Sequence, residues 1–124
     1  MINNTFISSP NDIHLATMYK FAEMFVFPSE YEGFGIPVLE SYKMNCPTIL
    51  NSNDCFREIT FNNGTFFEMN ENDSNLSEVM ERTLFLSKEE KEQMLSIQKD
   101  ILSHHSLDKM ANNIKTMFTK VIGK

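Results

Sequence analysis

The chain has 124 residues, of which 41% are hydrophobic and 23% charged, values that are ordinary for one soluble globular domain with a buried core. Its 11 basic and 17 acidic residues leave a formal net charge of −6, which disfavours binding to nucleic acid or to anionic membranes, because a basic face supplies most of that affinity. The start MINNTFISSP lacks the parts of a signal peptide, and no apolar run is long enough to span a membrane. The two cysteines lack metal-ligand spacing. We therefore expect a cytoplasmic protein with reduced thiols.

The first part of the chain predicts a strand, a helix and a second strand. Thr5–Ser8 could form a short strand, and Pro10-Asn11-Asp12 is a typical helix start. The run Glu23–Phe27 has the apolar pattern of a buried parallel strand. The apolar residues of the intervening helix recur at helical spacing and predict one buried face: Leu15, Met18, Tyr19 and Ala22.

A glycine-containing turn separates this strand from the next helix, which we expect at about Ile36–Met44. Pro37 suits the first turn of a helix, where a missing N–H has no helical partner. Asn45 tolerates the left-handed conformation that commonly ends a helix, and a proline follows two positions later. The next predicted elements are a strand at Thr48–Leu50, a helical turn around Phe56–Ile59 and a possible strand at Thr65–Glu68.

Three helices are predicted at the end of the chain. The first starts near Asp73, and the second follows a capping box formed by Ser87 and Glu90. The third starts near Ser106. The first and third helices have the apolar stripes Leu76, Val79, Met80, Thr83, Leu84 and Leu107, Met110, Ile114, Met117, Phe118, Val121. The alternation of strands and helices in the first two-thirds predicts an α/β fold with a parallel sheet.

The most informative segment is EGFGIPVLE, residues 32–40, between the predicted strand at 23–27 and the helix that follows. Ligands of open parallel sheets bind beyond the carboxyl ends of the strands. Gly33 and Gly35 let the backbone turn sharply and approach a ligand, and the start of the helix offers N–H groups to a phosphate. Glu40 could accept hydrogen bonds from the paired hydroxyls of a ribose, and Glu32 from a second group. Spacing alone equally allows a purely structural turn.

The run FVFPSEYEGFGIPVLES, residues 25–41, resembles the signature of retaining glycosyltransferases of family 4, which have the GT-B fold. That family has two glutamates separated by seven residues in its nucleotide-sugar-binding domain, and the matching residues here are Glu32 and Glu40. The similarity covers roughly residues 5–122, with flanking matches at Leu15, Met18, Tyr19, Ala22, Pro47, Thr48, Ile49, Glu58 and Ile59.

By this resemblance, Glu32 is the catalytic candidate, near the donor sugar and its reacting carbon, and Glu40 binds the ribose hydroxyls. Backbone contacts to the diphosphate or sugar are implied for Gly33, Phe34, Gly35 and Ile36. The implied reaction transfers a sugar from a nucleotide diphosphate sugar to an acceptor hydroxyl with retention of the anomeric configuration. The resemblance implies no metal ion and no cofactor apart from this donor substrate.

Complete family members also contain parts that this sequence lacks: an acceptor-binding domain, the first strands of the donor domain, and an Arg–Lys pair that grips the diphosphate. We therefore expect residues 1–124 to form a single partial domain, the second half of a GT-B donor-binding domain. The expected fold is a partial Rossmann-like α/β domain with a three- to four-stranded parallel sheet, flanking helices and a helical C-terminus. Alone, the chain should bind nucleotide sugar weakly and should not transfer sugar.

The missing strands would leave the strand at 23–27 as an exposed apolar edge, which invites pairing. We expect Thr5–Ser8 or a second copy of the chain to pair there; a homodimer could also form through the C-terminal helix. The other expected partner is the missing N-terminal part of the enzyme or a separate chain, and the full enzyme could lie peripherally at a membrane. The alternative function is a non-catalytic interaction or nucleotide-binding module. An NAD-binding oxidoreductase is a weak third interpretation, because the third glycine of the dinucleotide-binding motif is absent.

Other candidate residues have ordinary explanations. His14, His104 and His105 lack triad or metal partners at useful spacing, so surface or capping roles are expected. Cys46 and Cys55 are expected to be buried or idle thiols.

Overall fold

The computed structural model of the chain describes residues 5, 8–29 and 35–105. These residues form three strands and five helices. In chain order the elements are α1 (Asp12–Phe21), β1 (Phe25–Phe27), α2 (Ile36–Lys43), β2 (Thr48–Asn51), α3 (Asp54–Ile59), β3 (Thr65–Phe67), α4 (Leu76–Leu84) and α5 (Lys88–Ser103).

The three strands form one parallel sheet in the order β1-β2-β3. Val26 of β1 pairs with Ile49 of β2, and Leu50 of β2 pairs with Phe66 of β3. Parallel strands need crossover connections, which α2 and α3 supply between successive strands. The predicted α/β fold with a three- to four-stranded parallel sheet is confirmed, with three strands among the described residues.

The core is centred on β2, all four residues of which are buried. Successive side chains of a strand point to opposite faces of the sheet. On one face, Leu50 packs in a cluster with residues of α2, α3 and α5: Val38, Tyr42, Phe56 and Ile101. On the other face, Ile49 packs with Phe67 and with Val79 of α4. Helices therefore cover both faces, as parallel sheets require.

One buried side chain attaches α5 to the start of β2. Gln98 is 4% exposed; its Oε1 accepts from the Thr48 N–H at 2.9 Å, and its Nε2 donates to the Cys46 carbonyl at 2.8 Å. The side chain thus satisfies two buried backbone groups, which are costly to leave unpaired. On the same helix, Met94 packs against the cluster around Ile49, so α5 reaches both core clusters.

The ends of several helices follow local signals in the sequence. Asn11 caps α1 and Asn53 caps α3, each side chain accepting from the backbone N–H three residues later. The predicted capping box of Ser87 and Glu90 is present in both directions at the start of α5. Asn45, with φ of 56°, adopts the predicted left-handed conformation after α2.

The prediction for the buried face of α1 is wrong in part. Tyr19 is buried and Leu15 is partly buried, but Met18 is 53% exposed and Ala22 lies beyond the end of the helix. Phe21 is also exposed, so apolar residues occupy more than one side of α1. Periodicity alone could not choose the buried side of such a helix.

The strand predicted at Glu23–Phe27 is shorter, because its pairing with β2 begins at Phe25, opposite Thr48. The exposed Glu23 and the partly buried Met24 precede the ladder. The strand still carries the predicted apolar residues into the sheet.

The first of the C-terminal helices, α4, begins at Leu76 rather than near Asp73. The preceding residue, Asn75, accepts a hydrogen bond from the backbone N–H of Glu68 instead, which ties the turn to the end of β3. Val79 is buried as predicted, whereas Leu84 is 52% exposed. The helix therefore buries a narrower stripe than its sequence predicts.

Two predictions fall on residues outside the described ranges. The strand at Thr5–Ser8 includes residues 6 and 7, and the helix from Ser106 lies wholly outside. Both predictions stay open, as does the pairing expected at the edge of β1. No helix within the described part of the chain is long and apolar enough to cross a membrane.

Candidate functional site

The chain leaves β1 at the carboxyl edge of the sheet. The ladder between β1 and β2 ends at Phe27, and Pro28 has no N–H with which to extend it. The carbonyl of Ser29 instead accepts from two side-chain amides, Asn53 Nδ2 at 2.9 Å and Asn51 Nδ2 at 3.3 Å. The ends of two neighbouring parallel strands therefore meet here, where ligands of such sheets usually bind.

Helix α2 begins directly after Gly35, which has a left-handed φ of 62°. A Cβ atom at this position would displace the end of the Ile59 side chain in α3, and the left-handed backbone is strained for any residue that carries a Cβ, so glycine suits this position. Pro37 lies in the first turn, as predicted, and no described side chain caps the helix.

Glu40 is partly buried where α2 meets α1. It lines a cavity of about 250 Å³ together with Asp12, Leu15, Ala16, Tyr19, Lys43 and Met44. Sites that hold a whole drug-sized ligand usually measure about 300–1,000 Å³. The cavity therefore suits one part of a larger ligand, such as a ribose, better than a complete nucleotide sugar.

Two titratable groups of this cavity have perturbed pKa values. Burial raises the pKa of Glu40, and the nearby Asp12 carboxylate raises it further. Burial likewise raises the pKa of Tyr19, with the Glu40 charge as the next cause. Hydrogen-bond donors would stabilise the ionised form of the Glu40 carboxylate, which burial and Asp12 oppose, and a diol can supply two such donors. Perturbed groups in a cleft are typical of functional sites.

A buried hydroxyl network fixes the orientation of α2. Ser41, which follows Glu40, is fully buried and donates to the Val38 carbonyl at 2.7 Å. The Thr48 hydroxyl, at the start of β2, lies 2.8 Å from Ser41 Oγ. The Thr48–Ser41 contact joins this side of α2 to β2, whereas the neighbouring Glu40 borders the cavity with α1.

Of the six residues predicted for the site, three lie within the described ranges. Gly35 and Ile36 are at the start of α2, and Glu40 follows about one turn later. Their placement agrees with the predicted order of turn, helix start and acid. The roles predicted for the other three residues stay predictions, because these lie outside the described ranges: Glu32, Gly33 and Phe34.

The sequence reasoning missed four residues of this region. Asp12 and Tyr19 adjoin Glu40, and this contact depends on how α1 and α2 pack, which no local pattern reveals. Asn51 and Asn53 hold the Ser29 carbonyl. A signal for Asn51 was present, because an amide at the end of a buried apolar strand must find hydrogen-bond partners.

The contacts and exposure of Cys46 and of the histidines give no sign of a catalytic or metal-binding role within the described residues. Cys46 is 1% exposed, and burial raises the pKa of its thiol to about 11, so it is not a nucleophile at neutral pH. His14 is exposed, and His104 is the C-cap residue that directly follows α5. His105 Nε2 lies 2.8 Å from the Ile59 carbonyl oxygen, which connects the end of α5 to α3. No group of three potential metal ligands occurs among the described residues.

The contacts of Arg57, in the short helix α3, belong to the fold. Its Nε and Nη2 atoms donate to Ser52 Oγ at 3.0 and 2.6 Å, and its guanidinium carbon lies 4.4 Å from the ring centroid of Phe66. The exposed ion pair with Glu68, at 3.7 Å, adds little. These contacts account for the arginine without a ligand.

A second cavity, of about 260 Å³, lies among the start of β3, α4 and α5. Its lining includes Gly64, Val79 and Met94, with Arg82 and Glu90 among the charged groups. None of the predicted site residues borders it. The cavity beside Glu40 is therefore the better candidate for the predicted ligand.

Comparisons with known proteins support the resemblance to glycosyltransferases. The chain matches the family model described as "Glycosyl transferases group 1" over residues 2–101. It is 33% identical over 63 residues to O-antigen chain mannosyltransferase B from Escherichia coli; the alignment covers 51% of this chain and 16% of that protein, so it spans a small part of the relative's length. No solved structure matches. The chain belongs to the group 1 glycosyltransferase family, and its parallel sheet is consistent with part of a GT-B domain.

Proposed function

We propose that this chain supplies the part of a glycosyltransferase donor site that holds the nucleoside and sugar of a nucleotide diphosphate sugar. The observation that carries the proposal is Glu40, a partly buried carboxylate with a raised pKa beside a cavity of about 250 Å³. Membership of the group 1 family supports it. The complete enzyme would transfer the sugar to an acceptor hydroxyl with retention of configuration, as in family 4.

Each predicted site residue has a role in this proposal. The ribose hydroxyls donate to the ionised Glu40 carboxylate, and Glu32 lies near the reacting carbon of the donor sugar. The diphosphate and sugar approach the backbone of Gly33, Phe34, Gly35 and Ile36. The left-handed Gly35 and the start of α2 favour an anion there, because a helix N-terminus carries partial positive charge.

The proposed enzyme needs more protein than this chain contains. An acceptor site and a basic pair for the diphosphate would come from an N-terminal part of the same protein or from a partner chain, in the cytoplasm. We expect the 124-residue chain alone to bind nucleotides weakly and to transfer no sugar. The mannosyltransferase relative favours a hexose as the transferred group.

The test is a titration of the ¹⁵N-labelled chain with GMP, UMP, GDP-mannose and UDP-glucose, followed by NMR. Glu40→Gln should weaken binding about 10- to 100-fold, because charge-assisted hydrogen bonds are each worth roughly 1.5–3 kcal/mol. Glu92→Gln is the matched control, since it removes one charge from an exposed position of α5. Equal affinities of the Glu40 variant and the parent, or no binding by the parent, would contradict the proposal.

A second candidate function is a non-catalytic interaction module that keeps the fold. It is favoured by exposed apolar residues on α1, where Ile13 is 76% and Phe21 75% exposed. The same titration separates the two functions, because an interaction module has no reason to bind nucleotides through Glu40. Sugar transfer by the isolated chain would contradict both.

A further inference from the structure

We propose that Tyr19 is a second binding residue for the ribose of the donor, and that its hydroxyl donates a hydrogen bond to a ribose hydroxyl oxygen beside Glu40. The inference rests on the proposed function, which places the ribose in the cavity between α1 and α2 and assigns only Glu40 to it. It adds a hydrogen-bond donor to a contact that otherwise contains an acceptor alone.

The first observation is the composition of this cavity of about 250 Å³. Two carboxylates line it, those of Glu40 and Asp12, and an ionised carboxylate can only accept hydrogen bonds. Tyr19 and Lys43 are the lining side chains that can donate. Lys43 is exposed, so water competes for its ammonium group, whereas Tyr19 is buried. The phenol is therefore the sheltered donor of the cavity.

The second observation is that the hydroxyl of this buried side chain is unused. Tyr19 is 7% exposed, and its ring meets the ring of Phe25 edge-on, with 5.2 Å between the centroids. No described residue forms a hydrogen bond with its hydroxyl, although a buried phenol usually has a partner. The Tyr42 hydroxyl is also unpaired within the described residues, but it is sealed in the core, whereas Tyr19 lines a cavity that a ligand can enter.

The third observation connects the phenol to Glu40. Burial raises the pKa of Tyr19, and the Glu40 carboxylate is the next cause, so the two groups feel each other across the cavity. The phenol stays protonated at neutral pH and can donate, while the ionised carboxylate accepts. A hydroxyl group matches this pair, because it donates one hydrogen and accepts at its oxygen. A phosphate does not match it, because the charges of Glu40 and Asp12 oppose an anion.

The test compares Tyr19→Phe with the parent chain in NMR titrations with GMP, UMP and the 2′-deoxy and 3′-deoxy analogues of both. The change removes one hydroxyl and keeps the ring that packs against Phe25. Tyr42→Phe is the matched control, because it also removes an unpaired buried hydroxyl, but from the core side of α2. Glu40→Gln is titrated in parallel as the test of the proposed function, and thermal unfolding is measured for every variant.

We expect Tyr19→Phe to weaken the binding of GMP and UMP about 3- to 10-fold, the effect of one hydrogen bond between uncharged groups. This loss should disappear for the deoxy analogue that lacks the oxygen contacted by the phenol. Tyr42→Phe should bind every ligand like the parent. The Tm of Tyr19→Phe should stay within about 1 °C of the parent, because the hydroxyl has no partner among the described residues.

Three results would overturn the inference while leaving the proposed function in place, provided that Glu40→Gln weakens binding. The first is an unchanged affinity in Tyr19→Phe, and the second is an equal loss for the ribonucleotides and all their deoxy analogues. The third is a Tm lower by more than about 4 °C, which would show that the hydroxyl is already paired within the chain. A parent that binds none of the nucleotides would overturn the proposed function and this inference together.

Discussion

Glu40 and Tyr42 lie two positions apart on α2 and serve different sides of it. Glu40 borders the cavity with α1, whereas Tyr42 is 2% exposed and belongs to the core with Phe56 and Ile101. Burial raises the pKa of both groups, but only Glu40 has a neighbouring charge, Asp12, as a further cause. At the scale of the residue, one helix therefore supplies an acid to the site and an aromatic anchor to the core.

Glu40→Gln should stabilise the free chain at neutral pH. The folded pKa of Glu40 is raised above the ordinary value of 4.5, so the folded state loses stability relative to the unfolded chain as rising pH ionises this group. We expect the Tm of the variant to exceed that of the parent by about 1 °C at pH 7, since solvent screens a partly exposed group. Calorimetry from about pH 3 to pH 8 measures this difference, which should vanish at the acid end, where both side chains are neutral.

The control for this stability measurement is again Glu92→Gln, whose exposed position should give no comparable rise. A lower Tm for Glu40→Gln at neutral pH would show that the carboxylate is stabilised by the free protein. Higher stability together with weaker nucleotide binding is the pattern expected of a residue kept for function.

Tyr42→Phe should leave stability unchanged or slightly increased. The buried Tyr42 hydroxyl has no hydrogen-bond partner among the described residues. Its removal therefore eliminates the free-energy cost of burying an unpaired polar group, while the aromatic ring still fills the same space. Urea denaturation should give a free energy of unfolding within about 0.5 kcal/mol of the parent or higher, whereas Tyr42→Ala should cost about 3–5 kcal/mol. A loss above about 1 kcal/mol in Tyr42→Phe would reveal a partner such as a buried water.

At the scale of the element, local sequence signals predicted several helix ends, whereas tertiary contacts decided which side of a helix is buried. The capping box at Ser87, the left-handed Asn45 and the first-turn Pro37 were readable, because each acts within a few residues. The buried side of α1 was not readable, since Met18 is as apolar as its buried neighbours and yet 53% exposed. The start of α4 was displaced because Asn75 bonds to the end of β3 instead.

Gln98→Leu should weaken the docking of α5. The change keeps the volume of the side chain, but it leaves the buried Thr48 N–H without its present partner. It also removes one of the two donors of the Cys46 carbonyl, which still accepts from the Thr48 hydroxyl at 2.8 Å. We expect a loss of roughly 2–4 kcal/mol in the free energy of unfolding, measured in urea. Gln93→Leu, at an exposed position of the same helix, should change it by less than about 0.5 kcal/mol. A similar small change in Gln98→Leu would mean that water replaces the amide.

At the scale of the whole molecule, the described residues combine a buried core with exposed apolar groups. Helices cover both faces of the sheet, yet Phe21 and Phe85 are each 75% exposed. Exposed apolar groups that cluster often mark a surface that contacts another chain or another part of the same chain. On α1, Ile13, Met18 and Phe21 are all more than half exposed, which makes this helix the first place to look for such a contact.

Phe21→Lys should reduce self-association of the chain without lowering its stability. The phenylalanine is 75% exposed, so its removal from the folded state loses little burial, while an added charge disfavours contact between copies. Sedimentation velocity over a range of concentrations measures the association, and thermal unfolding measures the stability. Phe56→Ala, at a position with 0% exposure, is the contrasting variant and should cost about 3–5 kcal/mol. A marked loss of stability in Phe21→Lys would show that residues outside the described ranges cover this side chain.

The sequence determined the kinds of element, their order and the glycine–helix segment that ends in Glu40, because these depend on spacing, caps and turns within a few residues. It also contained the resemblance that the family match confirmed at the level of a group 1 glycosyltransferase. Only the tertiary structure decided that Asp12 and Tyr19 share a cavity with Glu40, and that Asn51 and Asn53 close on Ser29. These contacts join residues more than 20 positions apart, so they arise from the packing of helices and strands and not from any local preference.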